Sequence, residues 1–277
     1  MYCPRDWMRQ NLARTIPSAF APARRAPPHH EAGNLVIWQL LEKLIRVFCM
    51  AEYRAAFLRT RVAAAVEHDQ ILAGLKLNTV VDIGANRGQF ALCARRLYPQ
   101  AQIHSFEPLT KPARAWLENF GHDPRAHLYA KAVATRSGHA EMHVTQWDVS
   151  SSLLPIGPEQ RRSFPLCAEA RQETIETARL ADCLQRTAIT PPALLKLDVQ
   201  GFELEALHGC EDLLPVFDFV YVEASFTELY LGQALASDVI ALLLGHGFKL
   251  SCVANLERGR SRRPIQADFL FSRPKAA

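Results

Sequence analysis
The chain has 277 residues, of which 49% are hydrophobic and 22% charged, and a formal net charge of +4. This is ordinary for a soluble globular protein and supports one large domain with an appendage; the mild charge permits acidic partners without requiring them. The seven cysteines are scattered, odd in number and lack any Cys-x-x-Cys pair, which excludes a disulfide framework or cysteine zinc site and fits reduced thiols in a cytoplasmic protein.

Residues Met1 to Gly33 are rich in Pro and Ala and carry Arg5, Arg9, Arg14, Arg24 and Arg25 against Asp6 and Glu31. No apolar segment follows the basic residues, so the stretch reads as a disordered basic leader and not as a secretory signal. Asn34 is an expected helix N-cap, and residues 34–74 read as a helical extension, with an apolar run at Leu35 to Leu41 and a second helical stretch from Ala55 to Leu72. Gln39, Glu42, Lys43 and Arg46 interrupt the run well short of a membrane span. Such helices pack on their own domain or on a second subunit. A peripheral membrane contact is the alternative, given the flanking Arg46, Arg54, Arg59 and Arg61.

Residues 75–277 are expected to form the main domain. Thr79-Val80-Val81-Asp82-Ile83 has the composition of a buried parallel strand, and Ala91 to Leu97 resumes at helical spacing. Between them lies Asp-x-Gly-x-x-x-Gly, with Gly84 and Gly88 supplying close approach and unusual torsion angles. A dinucleotide fingerprint would need glycine at 86 and 89, where Asn86 and Gln89 stand. A carboxylate at the strand end suits an ammonium, a sulfonium or a hydroxyl better than a pyrophosphate, which points to S-adenosylmethionine (SAM). Gln102 to Phe106 is a second strand, followed by Glu107 and Pro108; Glu107 lies 25 residues after Asp82, one strand-helix-strand step, where an acid accepts ribose hydroxyls. Lys111 to Phe120 reads as a helix, His127 to Val133 as a third strand and Glu141 to Thr145 as a return strand.

Trp147 to Arg171 shows no periodicity and is a candidate lid. Thr174 to Thr177 reads as a short strand and Asp182 to Thr187 as a short helix. Leu194 to Val199 repeats the first device, a buried strand ending in Asp198 and a Gly201 turn, and Phe219 to Glu223 repeats it again. A helix from Ser237 to Leu244 precedes an antiparallel hairpin, Phe248–Val253 and Ala267–Phe271, with a basic loop holding Arg258, Arg260, Arg262 and Arg263. Four carboxylates at strand tips (Asp82, Glu107, Asp198, Glu223) would raise one another's pKa unless a cationic or donor-rich ligand compensated.

Four blocks in this order, Asp82-Ile83-Gly84-Ala85-Asn86-Arg87-Gly88-Gln89, Ser105-Phe106-Glu107-Pro108, Leu195 to Glu203 and Tyr221 to Tyr230, resemble the FkbM family of SAM-dependent methyltransferases over roughly residues 78 to 272. The resemblance implies a Rossmann-like, seven-stranded class I methyltransferase sheet with helices on both faces. It also implies O-methylation, commonly of sugar or polyketide hydroxyls. It places SAM against Asp82, Gly84, Ala85, Asn86, Gly88, Gln89, Glu107, Pro108, Ala132 and Asp198. Lys131 departs from the family pattern beside the expected adenine contact Ala132. Asp198 would lie near the sulfonium and the acceptor, with Glu203 or Glu223 as the base; His104 and His143 are rival bases. Asp198 and Glu223 could also hold a divalent cation, but no spacing demands a metal. The expected partner is a small-molecule or glycan acceptor, not nucleic acid, and an oligomer is open. Two rivals stand beside this reading: a non-catalytic partner-binding subunit of the same fold, and a nicotinamide-dependent oxidoreductase on a similar sheet.

Overall fold
The structure, a computed structural model, describes residues 43–146, 150–164, 167–259 and 262–274. The basic leader, the Asn34 cap, the Leu35–Leu41 run, Trp147, Pro165 and Arg260 lie outside the described residues. The centre is β1 (Thr79–Ile83), buried at all five positions, as expected of a parallel strand covered on both faces. It pairs in parallel with β2 (Gln102–Phe106) on one side and β7 (Ala193–Leu197) on the other. With β3 (Ala126–Tyr129), β8 (Phe219–Ser225), β9 (Lys249–Arg258) and β10 (Pro264–Ser272) the sheet runs β3-β2-β1-β7-β8-β10-β9, and only β10 and β9 are antiparallel to their neighbours. Strand order therefore reverses between β1 and β7. That switch point opens a crevice at the carboxyl ends of the strands.

Side-chain alternation divides the core between the two faces. Val81, Ile83, Leu195, Leu197, Val220 and Val222 lie in one buried cluster, and Val80, Ile103, Leu194 and Tyr221 in the other. The first cluster takes in α6 (Leu180–Cys183), α7 (Glu203–His208) and α8 (Ala236–Gly245). The second takes in α3 (Gln89–Leu97), whose Phe90, Ala91, Cys93 and Ala94 point inward, and α4 (Thr110–Phe120). Residues of the predicted helical extension join that second core: Val47, Tyr53, Ala64, Ala65, Val66 and Leu72 pack there. Tyr53 donates to Asp69 Oδ1 at 2.8 Å, and Ala65 N–H donates to the Gln89 carbonyl at 3.1 Å.

Three elements differ from expectation. The stretch Ala55–Leu72 is not one helix: α1 (Ala51–Thr60) ends at Arg61, which takes φ 59° as a left-handed cap, and only α2 (Asp69–Leu72) resumes, a common helix ending. The third strand divides into β3 and β4 (Ala132–Val133), because Lys131 N–H turns back to the Tyr129 carbonyl at 2.8 Å. β4 joins a separate sheet, β4-β6-β5, built from β5 (Gly138–Thr145) and β6 (Glu169–Ala178). β6 has ten residues in place of the expected four; its first four, Glu169 to Gln172, are all exposed, so they carry no alternation. Within the expected lid, α5 (Pro158–Ser163) forms and Ile156 bridges to Tyr230.

Candidate active site
The turn after β1 is fixed by its neighbours. Gly84 and Ala85 N–H groups both donate to the Phe106 carbonyl, at 3.1 and 3.0 Å. Gly84 has φ +79°, and a Cβ there would stand 1.9 Å from the Asp198 carbonyl oxygen, so only glycine lets the β1 and β7 turns come this close. Asn86, at φ 47°, donates its N–H to Glu107 Oε2 at 2.9 Å, and Leu109 N–H donates to Oε1 at 2.8 Å. Glu107 is buried, and burial raises its pKa to about 7 against the pull of these two amides. Each of its oxygens retains a lone pair for a ligand.

A cavity of about 260 Å³ opens over these turns. Of the expected cofactor residues, Gly84, Ala85, Asn86, Gln89, Glu107, Pro108, Ala132 and Asp198 line it, together with apolar Phe106, Leu109, Val133 and Leu153. Acidic and amide groups beside an apolar wall suit a nucleoside bearing hydroxyls and a cation, so the residues present fit SAM. Two expected residues do not line the cavity. Asp82 is fully buried, with Lys196 Nζ 3.0 Å from its Oδ1; that ammonium, not the carboxylate, faces the cavity. Gly88, at φ +88°, is a packing position, since a Cβ would stand 2.9 Å from Trp116 Cδ1 and 3.0 Å from Phe120 Cε2.

The family model described as Methyltransferase FkbM domain matches residues 82–250, more than half of the chain. The chain belongs to the FkbM methyltransferase family. Its relatives include the 2-O-methyltransferase NoeI of Sinorhizobium fredii, 30% identical over 218 residues, covering 75% of this chain and 85% of that protein. Another is the 31-O-demethyl-FK506 methyltransferase FkbM of Streptomyces tacrolimicus, 27% identical over 194 residues, covering 62% and 72%. Among solved structures, M. capricolum TrmK aligns with TM-score 0.44 and 8% identity over 75% of this chain and 68% of that one. As an FkbM-family enzyme the protein is a SAM-dependent methyltransferase.

The protein holds a second cavity of about 150 Å³, which shares Glu67, His68, Lys196 and Asp198 with the first and adds Tyr221, Glu223, Asn255, Glu257 and Asp268. Asp198 is therefore on the wall common to both; its Oδ1 accepts from Gln200 Nε2 at 2.9 Å. Glu223 reaches only the smaller cavity. It accepts from Gln200 and Gln266 side-chain amides at 3.3 and 3.1 Å, and burial plus the carboxylates of Asp198 and Asp268 push its pKa well up. Glu203 lines neither cavity. Its buried Oε1 accepts the N–H groups of Val199 at 3.1 Å and Gly201 at 3.0 Å, which gives it the work of holding the β7 turn in place of a proton acceptor's position. The rival histidines also stand apart from both cavities. His104 is buried, stacked on His127 and pushed down to about 4 by burial, and His143 pairs with Glu169 at 3.1 Å. Among the described residues no group of three or more His, Cys or acidic side chains is arranged to hold a metal ion.

Lys196 was not anticipated. Its ammonium donates to the Gly84 carbonyl at 3.2 Å, lies 3.9 Å from Asp198 Oδ2 and sits over the Phe90 ring at 5.4 Å. Burial pulls its pKa down, but Asp82 and Asp198 outweigh this and hold it up. Burial pushes Asp82 up in turn; a lysine that stays charged among these carboxylates favours the ionised form of the pair. The signal was available: one cation inside Leu194-Leu195-Lys196-Leu197 needs a buried counter-charge. His68, Asn255, Glu257 and Asp268 come from outside the four blocks, and nothing in their local sequence marks them.

Proposed function
We propose that this enzyme methylates a hydroxyl group of a neutral, hydroxyl-rich acceptor such as a sugar, glycan or related natural product, held in the smaller cavity beside the SAM site. One observation carries this reading: the two cavities share a wall, and the smaller one offers four carboxylates besides Asp198 against the single cation Lys196. Such a lining rewards hydrogen-bond donors and repels anions. The names of the two relatives described above specify methylation at oxygen.

Bound SAM supplies a methyl group already activated on a sulfonium. The chain's own residues then have three tasks: alignment, water exclusion and removal of a proton. Glu107 would accept the ribose hydroxyls through its remaining lone pairs, and the backbone of the Gly84–Asn86 turn with the Gln89 side chain would enclose the amino-acid and ribose part. Pro108, Leu109 and Ala132, which line the same cavity, would flank the adenine. Asp198, on the shared wall, would stabilise the cationic centre and orient the acceptor oxygen toward it; alignment of this kind contributes on the order of 7–11 kcal/mol. Glu223, whose oxygens accept from the Gln200 and Gln266 amides and whose pKa is pushed up by burial, lines the acceptor cavity beside Asp198.

The test has two arms. Titration calorimetry should show binding of SAM and of its demethylated product and none of NAD. Incubation with isotope-labelled SAM and a panel of methyl glycosides, amines and carboxylates should label glycosides alone, with mass spectrometry locating the label on oxygen. Labelling confined to amines, or to carboxylates, would refute the acceptor assignment.

A further inference from the structure
His68 stands where the two cavities meet and lines both. Its ring is gripped at one nitrogen. Nδ1 lies 2.9 Å from the Tyr221 hydroxyl and 3.4 Å from Asp268 Oδ2. The same Asp268 oxygen accepts from the Tyr221 hydroxyl at 2.7 Å and from Asn255 Nδ2 at 2.7 Å. Tyr221 has one hydroxyl proton, and its shorter bond commits that proton to Asp268. The Tyr221 oxygen can then only accept from His68, so Nδ1 carries the hydrogen and Nε2 is left with its lone pair. Asn255 Nδ2, a donor, also lies 3.4 Å from Nδ1, a longer contact than the Tyr221 bond, and every described polar contact of the ring is made at Nδ1. Edge-to-face contacts with Phe90 at 5.4 Å and Tyr221 at 5.5 Å fix the ring plane.

We propose that His68 Nε2 is the group that takes the acceptor's hydroxyl proton, with Asp268 and Tyr221 as positioning residues that fix its tautomer. The inference rests on the reading of the smaller cavity as the hydroxyl acceptor site. In the step, the acceptor O–H bond breaks toward Nε2 while the O–CH₃ bond forms, and the electron pair of the broken S–CH₃ bond stays on sulfur. The imidazolium so formed lies 3.4 Å from Asp268 Oδ2 and shares its cavity with Glu67, Asp198, Glu223 and Glu257, with Lys196 and Tyr221 the other titratable groups that line it. A surrounding dominated by carboxylates favours a charge that appears only as the reaction proceeds. Glu223, the base expected from sequence, is less suited: both oxygens already accept amide hydrogens, and it is a carboxyl among carboxylates.

Two measurements decide the matter. The first needs no acceptor. Nitrogen NMR of the full protein labelled in its histidines, with the His68 signals assigned by their loss in His68→Gln, should show a protonated Nδ1 and a bare Nε2 at alkaline pH. Asp268→Asn should mix the tautomers. A protonated Nε2 in the wild type would overturn the proposal. The second uses whichever methyl glycoside the wild type labels: His68→Gln should lower kcat about 10²–10⁴-fold while SAM affinity stays within about twofold. The acidic limb of the kcat profile should vanish with it, and free imidazole should restore part of the turnover of His68→Gly. A His68→Gln enzyme that keeps both its turnover and its acidic limb would also overturn the proposal. If no glycoside is labelled, the acceptor reading fails, and the tautomer measurement still decides for or against His68.

Discussion
Replacing Lys196 by Met is the most informative perturbation of the site, because it separates what supports the fold from what supports the chemistry. The ammonium is 3.0 Å from Asp82 Oδ1, and both side chains are withdrawn from solvent. At an effective dielectric constant of 20 their attraction is about 5 kcal/mol. Methionine keeps most of the packing of the lysine stem but removes the charge. Neither Asp82 oxygen has a hydrogen-bond donor from other described residues, so the carboxylate would be stranded and would take up a proton. Breaking a buried pair in this way typically costs about 3–5 kcal/mol. Guanidinium denaturation at pH 7.5 should therefore place Lys196→Met about 3–5 kcal/mol below wild type at unchanged m-value, and the deficit should shrink as pH falls and protonated Asp82 becomes cheaper. Adding Asp82→Leu to the same chain should recover most of the stability but not the activity, since Lys196 also lines both cavities. A single variant within about 1 kcal/mol of wild type, or a double variant no better than the single, would refute the reasoning.

Glu107→Ala should weaken SAM binding by about 1.5–3 kcal/mol; titration calorimetry with unchanged affinity would remove Glu107 from the donor site. Asp198→Asn should reduce turnover far more than SAM affinity, and full activity in that variant would show that its charge is not used. Glu203, buried and raised to about 7 from an ordinary 4.5, binds a proton more tightly in the folded state than in the unfolded one. Its contribution to stability is thus complete below about pH 4.5 and is lost as pH rises toward 7, by up to roughly 3 kcal/mol. Glu203→Gln should flatten that part of the stability profile, and an unaltered slope in urea titrations across the window would contradict it.

The first turn and the acid after the second strand were legible because each follows from local chemistry: a β-branched run, two glycines at forced torsions and a carboxylate where a strand stops. What could not be read is which way a side chain faces in a strand covered on both sides. β1 is buried at every position, so no alternation of burial shows that Asp82 turns toward β7 while Lys196 turns toward the cavities. That Glu203 lines neither cavity was not legible for a related reason, since an acid two residues after a glycine turn serves equally as a ligand group or as a holder of the turn's amides. β6 and β9 outran their predicted lengths because their outer residues face solvent and carry no hydrophobic period. His68 and Asp268 are 200 residues apart in the chain, and only the folded sheet brings them to 3.4 Å.

The segment matched by the family model stops short of much of the smaller cavity. Glu67 and His68 precede it, and Asn255, Glu257 and Asp268 follow it. If the smaller cavity holds the acceptor as proposed, donor use is encoded mainly in the middle of the chain and acceptor choice largely in its flanks. Exchanging those flanks between relatives is then a route to transplanting what is methylated while leaving the source of the methyl group alone.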